Sequence, residues 1–217
     1  MEFAQEETVM YKFSKLLLLP VLIIGFLSLP AQAAVSDFFK GEPDMSPDEI
    51  IALMGEPFNQ ENTGNQEFDF GLRLDYITRI KGYDAALTYY FDLNDIIKSV
   101  TIVIPLEGID LAKHELLLKD ITDGIKDAEN PLRHMNNGSQ NNSDGYHYVY
   151  YAEEWLNDIW YITLLSRAVI SVDDMKGQEI EPTEIFIRFA SVENADTDNQ
   201  KAIASFKKRI VETKNSD

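Results

Sequence analysis

No cysteine occurs in the 217-residue chain, so disulfides, thiolate nucleophiles and zinc–thiolate sites are excluded outright. Histidine is scarce, with three copies, and no G-x-S-x-G stands anywhere. Nucleophilic catalysis needs a positioned nucleophile, base and orienting group, and only generic serines remain to supply the first. Basic residues are in the minority: 19 Lys and Arg against 37 Asp and Glu give a net charge of −18. Such a field repels phosphate backbones and anionic headgroups, which speaks against nucleic acid and membrane surfaces as partners and permits a basic partner or a cation. The same charge also keeps an exported chain soluble.

One apolar run exists, and it is short. Lys12 and Lys15 precede Leu16 to Leu29, then Pro30 and the small-residue site Ala31-Gln32-Ala33. Basic, apolar and small-residue parts in that order read as a cleavable signal peptide. Glu2, Glu6 and Glu7 put negative charge where such a leader carries Lys or Arg, so Met10 is the expected start. A retained anchor needs roughly 17 to 25 apolar residues, more than this run has, and Pro20 and Gly25 weaken it further. Without a cysteine at the cleavage site, lipid attachment is excluded. The expectation is residues 1–33 removed and one globular domain over 34–217, periplasmic or secreted, with no stable membrane anchor.

Along that domain Ser46-Pro47-Asp48-Glu49 forms a helix start, with a capping serine, proline in the first turn and a capping-box glutamate. Gly55 and Pro57 end the helix after about two turns. From Phe68 the period changes to two: Phe68, Phe70, Leu72, Leu74 and Tyr76 share a face, while Asp69, Arg73, Asp75 and Arg79 share the other. Turns at Lys81-Gly82-Tyr83-Asp84 and Leu93-Asn94-Asp95 separate further strands at Ala86 to Phe91 and Ile96 to Ile104. A helix is expected over Asp110 to Lys126 with His114 at the edge of its apolar stripe. Met135 to Gly145, without apolar periodicity, reads as a mobile surface loop. Strands are expected at Tyr146 to Trp155, at Ile159 to Val172 with a break near Ser166-Arg167, and at Glu184 to Ser191. An amphipathic helix over 196–214 closes the chain. The fold class is therefore α+β, an antiparallel sheet covered on one face by helices, with possible helix-plus-three-strand half-repeats over 45–104 and 110–191.

The pattern Met45-Ser46-x-x-Glu49-Ile50-x-x-Leu53-Met54-Gly55-x-Pro57, followed by Tyr89-Tyr90-Phe91 and Ser99-Val100-Thr101-Ile102, resembles the SmpA/OmlA family of small envelope proteins. It is similar also to the β-lactamase-inhibitor-protein fold, which repeats an α+β unit twice. The likeness spans residues 41 to 104. It implies an envelope protein that binds other proteins through a sheet face or loops, without catalysis. Family members are typically lipoproteins, and the missing cysteine departs from that.

Candidate sites are few. His134 and His147 flank the Asn-rich segment with Asp144, at a spacing that matches no metal motif. Asp92-x-Asn94-Asp95 and Asp196-x-Asp198-Asn199 lack the glycine and distant glutamate of a calcium loop and read as a turn and a cap. No cofactor is expected. The distinctive stretch is Tyr146-His147-Tyr148-Val149-Tyr150-Tyr151 with Trp155, Trp160 and Tyr161 behind it. Aromatics at successive strand positions reach both faces, so Tyr146, Tyr148, Tyr150 and Trp155 are the candidate binding residues. The alternative is that both faces are covered and the rings are ordinary core. Three functional readings stand open: a non-enzymatic protein-binding or inhibitor-like module, a hydrolase of glycan or peptide working through carboxylates, and a small-ligand carrier.

Overall fold

The structure, a computed structural model, describes residues 38–62, 71–129, 132–141, 147–173, 177–195 and 197–214. Side chains of 126–149, 171–180 and 210–214 lie outside that description, as do the expected leader at 1–33 and Phe68 and Phe70. In chain order the elements are α1 (Pro47–Met54), β1 (Asn59–Asn62), β2 (Leu72–Ile80), β3 (Tyr83–Phe91), β4 (Ile97–Pro105), α2 (Leu111–Glu129), β5 (Leu132–Asn141), β6 (His147–Leu156), β7 (Trp160–Asp173), β8 (Gly177–Ser191) and α3 (Thr197–Lys214). The α+β class stands. The eight strands form one antiparallel sheet in the order β1-β2-β3-β4-β8-β7-β6-β5, so two meanders meet through β4 and β8.

Local chemistry sets the ends. The Ser46 hydroxyl accepts from the Glu49 amide and the Glu49 carboxylate from the Ser46 amide, completing the capping box that starts α1. Lys81 and Gly82 both take positive φ, the backbone of a tight hairpin turn between β2 and β3.

Alternation then sorts the side chains of each strand onto two faces. On the core face Leu72, Leu74 and Tyr76 of β2, Leu87, Tyr89 and Phe91 of β3, Val100, Ile102 and Ile104 of β4, Ile185, Ile187 and Phe189 of β8, and Trp160, Ile162 and Leu164 of β7 are buried in one cluster. Ile50 of α1 and Leu117, Ile121 and Ile125 of α2 close it. The residues before α1 join in. Phe39 meets Trp160 and Phe189 at ring-centroid distances of 5.6 and 4.8 Å, and Tyr89 donates to the Lys40 carbonyl at 2.5 Å. Burial pushes that phenol well above its ordinary pKa.

Four expectations are corrected. The helices do not share a face: Ile203 and Phe206 of α3 pack with Tyr161, Ala190 and Leu156, whose strand neighbours Trp160, Phe189 and Trp155 lie in the main core. An α3 on the opposite side from α1 and α2 follows from that alternation. Each meander has four strands, since β1 and β5 are added at the two ends. Met135 to Asn141 is thus strand rather than loop, held by β6 along its whole length. Its pattern hides this because an edge strand draws its pairing from the neighbour's backbone and needs no apolar period of its own. Near Ser166-Arg167 the strand continues through a register shift between Arg167 and Ala168, so the expected break is a bulge.

Candidate functional site

The outer face of the sheet, opposite the main core, can be read as rows of residues that stand directly across from one another. The first row is Arg73–Tyr90–Ser99–Ala190–Tyr161–Leu156, and α3 sits on its last three members. Below it comes a polar row, Asp75–Thr88–Thr101–Arg188–Thr163–Glu154. The next row is apolar throughout: Ile77–Ala86–Val103–Phe186–Leu165–Ala152, running over β2, β3, β4, β8, β7 and β6. None of its six members is buried, and Ile77 is 74% exposed. At about 4.8 Å per strand the row is roughly 24 Å long. A further row, Pro105–Glu184–Arg167–Tyr150, polar in its last three members, borders its far side on β4, β8, β7 and β6.

Most charges on and beside these rows are paired, while Arg188 has no ion pair among the described residues. Asp75 bonds Arg73, which also bridges Glu61; Arg79 meets Asp84 at 2.9 Å and Arg167 meets Glu184 at 3.1 Å. Glu154 accepts from Arg209 of α3 and from the Tyr161 hydroxyl, and burial, followed by that carboxylate, raises the Tyr161 pKa. Between Arg209 and the strands an open groove of about 350 Å³ has Ala152, Thr163, Leu165 and Phe186 along it, so one end of the apolar row is also a concavity. An apolar strip bordered by rows rich in polar residues is the layout of a protein interface, with an apolar centre and a polar rim.

The aromatic stretch divides. Tyr150 is half-buried on the outer face, beside Arg167 in the row next to the apolar one. Trp155 is wholly buried on the core side, and its indole N–H has no hydrogen-bond partner among the described residues. It is a core residue and presents nothing to a partner. Tyr148 lies in β6 with its side chain outside the described residues, and Tyr146 is itself outside them. Trp160 is core and Tyr161 lies under α3. The Asp144 and histidine grouping also falls outside the described residues in whole or part; among those described, no group of His, Asp and Glu is placed to hold a metal.

His114 takes a place that spacing alone does not give. It is 7% exposed, and its Nε2 lies 2.6 Å from Oγ of Ser166 on β7. Tyr151 stands directly opposite Ser166 and donates to buried Glu153, so α2 meets the sheet through a small polar nest. A hydroxyl at an imidazole nitrogen is the first contact of a nucleophile and its base. Here Ser166 is 3% exposed, which closes it to substrate, and the pair serves to fix α2 over β7. Burial lowers the His114 pKa, favouring the neutral ring.

Among the described residues no helix is long and apolar enough to cross a membrane. Comparison with known proteins finds no matching family model, no similar curated protein and no similar solved structure.

Proposed function

We propose that this chain is an exported, non-enzymatic protein-binding module that docks a basic partner protein on the outer face of its sheet, along Ile77, Ala86, Val103, Phe186, Leu165 and Ala152. The observation that carries the reading is that continuous apolar row. Solvent-facing positions of a half-covered sheet are ordinarily polar, and singly exposed apolar residues need no explanation. Six in register across six strands form one surface, of the kind that marks an interaction site. Attraction comes from the chain's strong excess of Asp and Glu over Lys and Arg, which steers a basic protein toward it. The resemblance to the β-lactamase-inhibitor-protein fold points the same way. In this reading the two meanders, each preceded by a helix, are copies of one unit, and Tyr150 borders the docking surface.

Pull-down from envelope extract tests the assignment. Ile77→Asp and Leu165→Asp are expected to lose the partner, whereas Glu115→Ser, on the exposed side of α2, is expected to keep it. Recovery unchanged by the row variants overturns the site. Export has its own test. Mass spectrometry of the exported chain is expected to find an N-terminus near Ala34, and an intact N-terminus before Leu16 contradicts it.

A further inference from the structure

We propose that the outer edge of β5 pairs with β5 of a second copy of this chain, antiparallel about a two-fold axis, joining two sheets into one. The inference does not depend on the docking role of the apolar row.

β5 ends the strand order. Over Leu132–Asn141 it pairs with β6 and, among the described residues, with no other strand. An edge of this length that no other described strand pairs is a template for strand addition, which chains ordinarily blunt with proline, lysine, inward charge or shortness. The sequence of β5, LRHMNNGSQN, contains no proline, lysine or carboxylate. At the opposite end of the sheet β1 has four residues, one of them Glu61, and is blunted on both counts.

The missing carboxylates point to a second copy as the occupant. A chain at −18 repels itself across most of its surface, and self-association has to use a place where no acidic residues meet. In a register centred on Gly138, Met135 stands opposite Asn141, Asn136 opposite Gln140 and Asn137 opposite Ser139. Seven uncharged positions then pair without a like-charge contact, and Arg133 and His134 fall beyond the end of the partner strand. Within that register Asn136 and Gln140 set one amide-bearing residue opposite another on each side of the axis. Such an axis stands normal to the sheet, so both apolar rows come to lie on the same outer face and a partner meets two of them.

The absence of native cysteine makes the test specific. Directly opposed residues in an antiparallel pair have Cα atoms about 4.5 to 5.5 Å apart, within the span of a disulfide. Gly138→Cys is expected to form a covalent dimer about 100-fold faster under mild oxidation than Gln60→Cys on β1, the gain a pre-formed pairing gives. Wild-type chain is expected to sediment as a concentration-dependent monomer–dimer mixture. Asn137→Lys with Ser139→Lys sets lysine opposite lysine across the axis and is expected to abolish the dimer while leaving the far-ultraviolet circular dichroism unchanged. Equal disulfide rates at positions 138 and 60, a wild type that stays monomeric to its solubility limit, or a dimer that survives the paired lysines overturns the proposal. The sedimentation experiments decide the matter if the Gly138 variant does not fold.

Discussion

Thr88 of β3 stands directly opposite Asp75 of β2, and its hydroxyl donates to Asp75 Oδ1 at 2.8 Å. The other carboxylate oxygen accepts from Asn59 at 2.7 Å and from Arg73 Nε at 3.0 Å, so an acid only 8% exposed is ringed by donors. Through Asn59 the same group ties the short edge strand β1 to the sheet. Asp75→Ala leaves these donors unsatisfied and is expected to cost about 2 to 3 kcal/mol. Urea denaturation checks it: the midpoint should fall with the slope unchanged, and an unmoved midpoint contradicts the network.

Trp155 and Tyr150 belong to one aromatic stretch and are expected to respond in opposite ways. Trp155 is fully buried, so Trp155→Ala opens a cavity and is expected to cost about 3 to 5 kcal/mol. Tyr150 is half-buried on the outer face, and Tyr150→Ala is expected to stay within about 1 kcal/mol of wild type. Chemical denaturation of both variants decides it, and equal losses contradict the placement of the two rings on opposite faces.

The sign of the pH dependence at His114 follows from its burial. Its folded pKa lies below the ordinary 6.5, so in acid the unfolded chain takes up the proton first. The ring's contribution to stability is therefore complete above about pH 6.5 and is lost as pH falls from there toward the folded pKa. His114→Gln keeps a polar group near Ser166 and removes the titration. The stability gap between wild type and variant is expected to shrink from pH 7 to about pH 5. A gap that is constant over that range contradicts it.

What the sequence discloses follows the strength of each local signal. The capped helix at Ser46, the alternation from Leu72 to Ile80 and the amphipathic stretches of α2 and α3 are legible because burial of one stripe or face writes a period into the residues. β5 is illegible for the opposite reason, since its place at the sheet edge leaves polar residues to form a strand held by β6. The side of the sheet on which α3 lies is a tertiary choice. It shows only once Tyr161 and Ala190 are seen to face away from Trp160 and Phe189. The apolar row is hidden most thoroughly. Ile77, Ala86, Val103, Phe186, Leu165 and Ala152 come from six strands and stand in six different local patterns, and only the cross-strand register aligns them. In Tyr146 to Tyr161 the richness in rings is visible, but composition does not say which rings are core, and Trp155 and Trp160 are.

Position-resolved photocrosslinking in the producing cell tests the docking row most directly. A benzophenone side chain placed at Ala86 or Leu165 is expected to capture one discrete partner, and capture at either position is expected to vanish when Phe186→Asp is added. The same probe at Glu115 on α2 is expected to capture nothing. Capture at Glu115 equal to that on the row, or none at Ala86 and Leu165, contradicts the docking face.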